Sequence, residues 1–361
     1  MLGHGGGPPC PASPVTVDLR VPSPAAVRWL PEEECASRVV LADRAARGEF
    51  AALQAVLHRL GVPTVRFDAA QADGGREPLT ISLDDGLVTL EGRSFRPTVV
   101  WARGPMPRAI PDGYAGSLIG ADSWSALVGQ LAALAPAGLP GGNRVGHLAQ
   151  LAGAAAAGVR TPRTIVTTDP RTAEAVQGDR LVVKVLDEHF VEAAPGRLVG
   201  LLAEVVGRET LMRRRPPGFP VIVQEYVEHD LELRVYYLDG DLHAFAVTKP
   251  SPDAPWRNPA AVSVRGMPVP PRAAEVVERL ARGWGLTYGA FDLLLTPEDV
   301  VFLEVNADGD WRWFETKAGT RALTNAAASM VRTLHANVLR ATAPPPIGGV
   351  LDFLVLGSET W

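Results

Sequence analysis

The chain has 361 residues, of which 47% are hydrophobic and 21% charged, and this size predicts two or three folded domains. The net charge of −5 argues against nucleic-acid binding through bulk electrostatics, which needs a basic surface. Two cysteines, Cys10 and Cys35, are too few for a disulfide framework or a cysteine zinc site. Because we find neither an apolar run of membrane-spanning length nor a signal peptide, we expect a cytoplasmic protein.

The 36 glycines and 32 prolines exceed the usual share of these residues and predict many loops. Part of the excess lies in the first 14 residues and near the C-terminus, where no periodicity is present. We therefore predict a disordered N-terminal extension, an N-terminal domain, a central domain, a C-terminal domain, and a linker with a tail, which span residues 1–35, 36–140, 141–227, 228–342 and 343–361.

The N-terminal domain has a β–α–β pattern. Apolar residues between Phe50 and Leu60 recur at helical spacing, and Gly61 ends that helix. The segments around it are strand-like, namely Val39–Leu41, Thr64–Phe67 and Thr98–Trp101. This alternation predicts a small doubly wound domain and an α/β (α+β) fold for the chain.

Helices and strands also alternate after residue 140. The Asp239-Gly240 dipeptide predicts a tight hairpin between two of these strands. The predicted helices are Val145–Ala157, Arg272–Arg282 (ended by Gly283) and Arg321–Leu339. The predicted strands are Thr164–Thr167, Leu181–Leu186, Val221–Val227, Leu231–Leu238, His243–Val247, Tyr288–Leu295 and Val300–Val305.

The last two strands carry acidic residues in apolar surroundings. In a hairpin centred on Glu298, Asp292 lies opposite Glu304, and Asn306 shares their face because side chains alternate along a strand. Two carboxylates placed this way need a positive partner between them. Together with an amide oxygen they suit Mg²⁺, which takes one or two carboxylates plus substrate phosphates. Alternatively, one carboxylate faces solvent or pairs with an arginine.

Three cations occur in unusual settings. Lys184 lies in the middle of an apolar strand, where it must pair or reach solvent. Arg234 shares a strand face with Glu232, and Arg257 follows Trp256 in a Pro-rich loop. A phosphate suits all three cations, and the alternative is an edge-strand lysine and two surface arginines.

The order of these motifs resembles the ATP-grasp superfamily. It runs from Lys184 through Gln-Glu-Tyr-Val (224–227) and Glu-Leu-Arg-Val (232–235) to Asp292 and Phe-Leu-Glu-Val-Asn (302–306). The resemblance covers about residues 143–340. It implies an ATP-grasp fold of three subdomains, with the nucleotide cleft between the central and C-terminal ones. It also implies an enzyme that uses ATP to convert a carboxylate into an acyl phosphate, which an amine, hydroxyl or thiol captures.

Within the superfamily, the chain is most similar to the graspetide (microviridin-type) peptide macrocyclases. The similarity lies in Glu-Val-Asn followed by a small residue, Gly, an aromatic stretch and Glu, over 302–315. Ser251 with Trp256-Arg257, and Val100-Trp101-Ala102-Arg103, also resemble segments of that group. This branch implies a precursor peptide as substrate, whose side-chain Asp or Glu is closed into ester or amide rings.

The resemblance also implies roles for individual residues. The ATP-binding residues would be Arg144, Lys184, Glu225, Tyr226, Val227 and Glu232. Within this set, Lys184 would contact phosphates, Glu225 with the backbone of Tyr226 and Val227 the adenine, and Glu232 the ribose. Arg234 and Arg257 would steady the γ-phosphate and the acyl phosphate. Asp292, Glu304 and Asn306 would bind Mg²⁺.

The chain departs from the family pattern at three points. Arg144 replaces a common lysine, Pro255 replaces an Asp, and the phosphate lid between Leu186 and Arg197 contains only Gly196 as glycine. One alternative is therefore an ATP-grasp ligase that joins amino acids or small metabolites, as glutathione-synthetase-like enzymes do. A non-catalytic nucleotide-binding scaffold is the other.

Several residues have open roles. Glu315 and His189 are candidate general bases, although structural roles are expected for both. The basic stretch Met212–Arg215 is a candidate docking site for an acidic peptide, or a solvated loop. Apolar helix faces in the N-terminal domain suggest a homodimer, which is common in this family.

Overall fold

A computed structural model describes residues 36–43, 48–68, 79–103, 115–142, 145–186, 190–194, 197–200, 203–251 and 258–342. All of them lie in one compact unit, Glu33–Trp361. The two predicted terminal segments lie outside the described residues, as do Arg144, His189 and Arg257. Within the described ranges, no helix has both the length and the apolar character that a membrane span requires.

The first sheet has the strand order β2-β1-β5-β4-β3, and β6 also pairs with β5. Its strands β1, β2, β5 and β6 are parallel neighbours, whereas β3 and β4 form an antiparallel hairpin beside β5. These strands are β1 Ser37–Asp43, β2 Thr64–Asp68, β3 Leu79–Ser82, β4 Leu87–Leu90, β5 Arg93–Ala102 and β6 Ala137–Leu139. Helix α1 (Glu49–Arg59) connects β1 to β2, and helix α2 (Ala115–Leu134) precedes β6.

The predicted β–α–β unit is confirmed. Helix α1 buries Phe50, Leu53 and Leu57, which recur every three or four residues, and it ends just before Gly61. Gly61 has a φ of 73°, a left-handed conformation that glycine adopts without strain. Strand β1 is buried on both faces, as expected for a parallel strand covered by helices.

The second sheet, of four antiparallel strands, has the order β11-β8-β12-β7. These strands are β7 Thr164–Thr167, β8 Arg180–Lys184, β11 Glu204–Gly207 and β12 Val221–Glu225, and a separate hairpin comprises β9 Phe190–Ala194 and β10 Arg197–Gly200. Helix α3 (His147–Ala156) precedes the sheet, and helix α4 (Arg208–Met212) follows β11. A small core that includes Leu181, Leu211 and Val223 holds this layer together.

The third sheet is antiparallel with the order β15-β14-β13-β16-β17. These strands are β13 Leu231–Leu238, β14 Asp241–Thr248, β15 Ser263–Met267, β16 Tyr288–Leu295 and β17 Val300–Asn306. Helix α5 (Pro271–Gly283) follows β15, and helices α6 (Arg312–Ala318) and α7 (Ala322–Thr342) follow β17. One face of the sheet packs on α3 and α5 through residues such as Phe291 and Phe302.

The other face of the third sheet is shared between two environments. Tyr236, Tyr288 and Ala290 join a core that also contains α1, α7 and the first sheet. Arg234 and Asp292 lie on this same face, each two residues further along its strand from Tyr236 and Ala290. The first sheet therefore covers one end of this face, and the polar end faces the second sheet.

Most predicted elements are confirmed, three of them with unchanged bounds: Thr164–Thr167, Leu231–Leu238 and Tyr288–Leu295. Asp239 and Gly240, both with positive φ, form the two-residue hairpin turn. One predicted helix end was wrong, because Gly283 lies inside α5 and the left-handed glycine after it is Gly285. The predictions omitted several elements with weak periodicity: β3, β4, β6, β9, β10, β11, β15, α2, α4 and α6.

Candidate active site

The acidic pair on the last hairpin is confirmed. Asp292 of β16 lies directly opposite Glu304 of β17. The predicted register near the turn was wrong, since Leu295 pairs with Val300, so the hairpin is not centred on Glu298. The ladder shifts by one residue at Leu303, and this β-bulge brings the two acids opposite each other.

Arg234 completes a row of charges across three strands. It lies opposite Asp292 on β13, and its Nη1 donates to Asp292 Oδ2 at 2.5 Å. Burial raises the pKa of Asp292, the charge on Arg234 opposes this shift, and Glu304 adds to it. The guanidinium of Arg234 also lies 5.6 Å from the ring centre of Tyr236 and 5.4 Å from that of Phe314. The row therefore places two carboxylates beside one rigidly packed cation.

Two further basic side chains lie close to Glu304. Lys184 Nζ, at the end of β8, lies 3.7 Å from Glu304 Oε2, and His147 Nδ1, at the start of α3, lies 3.4 Å from the same oxygen. The side chains of Lys184 and His147 are only 11% and 10% exposed. The Lys184 contact joins the second sheet to the third beside the acidic pair. His147 was missing from the sequence predictions, since a histidine at a helix start carries no distinguishing signal.

The predicted adenine-binding residues lie at the end of β12. Glu225, Tyr226 and Val227 line a cavity of about 310 Å³, which Arg160 and the β16–β17 turn also line. The amide of Tyr226 donates to the carbonyl of Arg180, whose guanidinium lies 4.1 Å from the centre of the Tyr226 ring. The predicted adenine-binding segment is thus held against β8, the strand that ends at Lys184.

Glu232, the predicted ribose contact, has a partner that the sequence predictions omitted. Lys249 Nζ, just beyond β14, donates to Glu232 Oε1 at 2.6 Å. Both side chains are partly buried, at 22% exposure for Lys249 and 16% for Glu232. A ligand hydroxyl at Glu232 would therefore share this carboxylate with Lys249.

Asn306 ends β17 on the face that carries Asp292 and Glu304, and its position lies opposite Ala290. Its side-chain oxygen accepts the amide of Asp308 at 3.0 Å, which starts a turn after the strand. An amide oxygen has a second lone pair and can still coordinate a cation. Asp292, Glu304 and Asn306 are thus brought to one face, as predicted from the sequence.

The donor set fits Mg²⁺. Asp292 pairs with Arg234, as the alternative interpretation of the sequence expected for one carboxylate, and Lys184 lies near Glu304. Carboxylate and amide oxygens on one face are nevertheless the ligands that Mg²⁺ takes in proteins. In the part of the chain that the structure describes, no group of three or more His, Cys, Asp or Glu side chains is arranged for a metal. The set of two carboxylates and one amide therefore suits a cation that takes its remaining ligands from phosphates and water.

Other candidates have structural roles or are neutralised. Both carboxylate oxygens of Glu315 accept hydrogen bonds from Thr324, one from its amide and one from its hydroxyl, and so secure the start of α7. This is the structural role expected from the sequence. In the basic stretch, Arg213 pairs with Glu209, and Arg214 forms a bidentate pair with Glu204. Much of the positive charge of that stretch is therefore compensated within the chain.

No family model matches the sequence, and no curated protein matches it either. Solved structures do match the fold. The ATP-grasp ligase PsnB, complexed with a phosphomimetic variant of a minimal precursor, Mg and ADP, has a TM-score of 0.66 at 18% identity, and the match covers 83% of this chain and 99% of PsnB. The macrocyclase MdnC from Microcystis aeruginosa MRC, bound with the precursor peptide MdnA, has a TM-score of 0.65 at 17% identity, covering 82% and 99%.

A third match is D-alanyl-alanine synthetase A from Vibrio cholerae, with a TM-score of 0.53 at 13% identity, covering 85% of this chain and 99% of the synthetase. All three are ligases, and each match covers 99% of the ligase chain. Each match also covers more than four fifths of this chain. The chain therefore has the ATP-grasp fold.

Proposed function

We propose that this chain is an ATP- and Mg²⁺-dependent carboxylate ligase that activates side-chain carboxylates of a ribosomal precursor peptide and closes ester or amide macrocycles. One observation carries the proposal. The row Glu304–Asp292–Arg234 faces Lys184 and His147 across the cleft, so acids and cations converge where a triphosphate, a metal and a carboxylate would have to meet. Phosphoryl transfer depends mainly on such positioning and charge.

The reaction has two steps. An oxygen of the substrate carboxylate attacks the γ-phosphorus, and the bond from that phosphorus to the ADP oxygen breaks, which leaves an acyl phosphate. A hydroxyl or amine of the same peptide then attacks the acyl carbon, loses its proton and expels phosphate. Arg234 and Arg257 would hold the transferred phosphoryl group, since guanidinium matches phosphate oxygens in a bidentate way.

The metal would be held by Asp292, Glu304 and Asn306. When bound, Mg²⁺ supplies positive charge to the phosphate oxygens. Lys184 supplies a further donor to the phosphates, and Arg144 is proposed to join it. On the nucleoside side, Glu225 with the backbone of Tyr226 and Val227 would hold the adenine, and Glu232 the ribose.

The nucleotide cleft is proposed to lie between a central subdomain, 141–227, and a C-terminal subdomain, 228–342. The contact of Lys184 with Glu304 supports this division, since it joins the second sheet to the third across the cleft. The region 36–140 would form the N-terminal subdomain. Because ATP is the proposed co-substrate, the reaction is placed in the cytoplasm.

Two of the matched structures support a peptide as substrate, since PsnB and MdnC contain precursor peptides. The third supports the alternative, a ligase that joins amino acids or small metabolites, because it is a D-alanyl-alanine synthetase. The higher TM-scores of the two peptide ligases, 0.66 and 0.65 against 0.53, favour the peptide.

The test is to incubate the protein with Mg-ATP and acidic, Thr-rich precursor peptides, and to record intact masses and ADP. Loss of one water per ring, with one ADP formed per water lost, is expected. ADP formed only with free amino acids would establish the alternative ligase, and no ADP with either would leave a nucleotide-binding scaffold. Glu304→Gln should abolish turnover, whereas the matched control Glu275→Gln, an exposed glutamate on α5, should not.

A homodimer is also proposed, through the apolar helix α2. Residues 126–134 of this helix carry mainly apolar side chains, and several of them are exposed, among them Leu134 at 66%. Sedimentation equilibrium should give twice the monomer mass. Leu134→Lys should reduce it to the monomer mass. The mass of the control Leu83→Lys, at a leucine outside α2 that is exposed to 77%, should stay that of a dimer.

A further inference from the structure

The loop after Asn306, residues 307–311, packs against the charged row. Gly309 in this loop is buried, and its backbone leaves no room for a side chain. A Cβ at this position would overlap the Cβ of Ala290 and would lie 3.0 Å from Nη2 of Arg234. The amide of Gly309 also donates to the carbonyl of Asn306 at 3.1 Å, so the loop backbone is in direct contact with both Arg234 and Asn306.

Three successive carbonyl groups of the loop accept hydrogen bonds from outside it. Tyr236 donates its hydroxyl to the carbonyl of Asp310, and Tyr288 donates to that of Gly309 at 2.5 Å. Arg103 Nη2 donates to the carbonyls of Asp308 and Gly309 at 2.7 and 2.6 Å. The tyrosines belong to the third sheet itself, whereas Arg103 comes from the first sheet, directly after β5.

Arg103 is itself held firmly. It is 2% exposed, and its guanidinium lies 4.6 Å from the ring centre of Trp311 and 5.6 Å from that of Phe50. An oxygen of the Glu49 carboxyl group, at the start of α1, lies 3.9 Å from Arg103 Nη1. A planar cation stacked on two rings has one orientation for its donors, and a lysine cannot reproduce it.

We propose that Arg103 is a positioning residue for the ligase centre: it clamps the 307–311 loop and thereby sets where Asn306 and Arg234 stand. This role rests on the proposed function, because Arg103 of the first sheet would act on a reaction that takes place at the third sheet. It explains why a buried cation with two backbone acceptors lies at the end of a strand in a different sheet. Residues that orient metal ligands typically change metal affinity or activity by about 10- to 100-fold when lost.

The test compares wild type, Arg103→Lys and a matched control, Arg66→Met. Arg66 lies in the same first sheet, pairs with the buried Asp43 and has its guanidinium 5.8 Å from the ring of Phe50, but it has no described contact with the loop. Each variant is titrated calorimetrically with ADP, with and without Mg²⁺, and its melting temperature is measured. Turnover with Mg-ATP and the peptide is a separate readout.

For Arg103→Lys, we expect that the gain in ADP affinity on adding Mg²⁺ falls by about tenfold, while ADP binding without metal is unchanged. Turnover should fall through kcat, with KM for the peptide preserved. Arg66→Met should lower the melting temperature but keep the Mg²⁺ gain. Should Arg103→Lys not fold, Tyr288→Phe removes one donor to the same Gly309 carbonyl and should show the same loss in smaller measure.

A folded Arg103→Lys with the wild-type Mg²⁺ gain and wild-type kcat would overturn the positioning role. An equal loss of the Mg²⁺ gain in Arg66→Met would do so too, because the effect would then reflect general destabilisation. If wild type shows the Mg²⁺ gain but ligates no substrate, the proposed function fails while the calorimetric comparison still decides the role of Arg103.

Discussion

Glu49 predicts an unusual pH dependence of stability. This carboxyl group is 1% exposed at the start of α1. Burial and the neighbouring Asp310 carboxyl raise the pKa of Glu49 to about 8, although Arg103 acts in the opposite direction. Below pH 4.5 the group is protonated in both the folded and the unfolded chain. Between pH 4.5 and 8, the unfolded chain loses this proton while the folded protein keeps it.

The sign follows from proton linkage. An unfolded state that binds fewer protons gains stability as pH rises, so the free energy of unfolding falls by about 1.4 kcal/mol per pH unit through this group. From pH 5.5 to 7.5, Glu49 should therefore cost the wild type about 2 kcal/mol. Burial alone would raise the pKa of Asp310, but Glu49 and Arg103 lower it below the usual value for an aspartate. Asp310 therefore stays ionised between pH 5.5 and 7.5 and does not change the stability in that range.

Glu49→Gln removes the titration and retains the shape of the protonated acid. The variant should match wild type only below pH 4.5, and its stability advantage should grow by about 2 kcal/mol between pH 5.5 and pH 7.5. Urea unfolding at both pH values, followed through tryptophan fluorescence, measures this difference. Trp101 and Trp311 pack on Phe50 beside Glu49 and report on the region. A constant stability difference between variant and wild type at the two pH values would refute the reasoning, and Glu275→Gln should show such a constant difference as a control.

Three further predictions concern the cleft. Asp292→Asn should lower turnover at least about 100-fold, because one metal ligand is lost, and should also lower the melting temperature, because the buried Arg234 loses its counter-charge. Lys184→Met should raise KM for ATP about tenfold with a smaller change in kcat, since a charge-assisted bond to phosphate is removed. Gly309→Ala should lower the free energy of unfolding by about 1 to 3 kcal/mol in denaturant titrations, because its Cβ overlaps Ala290. Wild-type values in these assays would contradict the respective assignments.

Local patterns predicted much of the fold. The mainly apolar strands Leu231–Leu238 and Tyr288–Leu295 are buried along most of their length. A dipeptide with two positive φ angles, Asp239-Gly240, joins the strands of the preceding hairpin. The cleft residues Asp292 and Arg234 stood out because charges in apolar strands must find partners, and each is the other's cross-strand partner. Where burial restricts the residue type, the local sequence therefore shows which residues are buried and which charged ones among them need a partner.

Partners from distant segments were not predictable in this way. His147 reaches Glu304, Lys249 reaches Glu232 and Arg103 reaches the 307–311 loop only after the sheets have packed together. Nothing in the local sequence of these cations distinguishes them from surface residues. Their selection depends on which strand ends the fold brings together, and this requires the three-dimensional structure.

The β-bulge at Leu303 shows most clearly how the fold builds the candidate site. In an uninterrupted strand, Phe302 would share a face with Glu304, although Phe302 packs into the core beneath the sheet. One face would then have to bury a large aromatic ring and present a charged ligand to the cleft. The extra residue reverses the alternation, so Phe302 and Val305 face the core while Glu304 faces the cleft opposite Asp292. Deleting Leu303 should thus convert the bulge into a regular ladder in which Phe302 still pairs with Leu293 and Glu304 with Asp292, so the acidic pair should be retained.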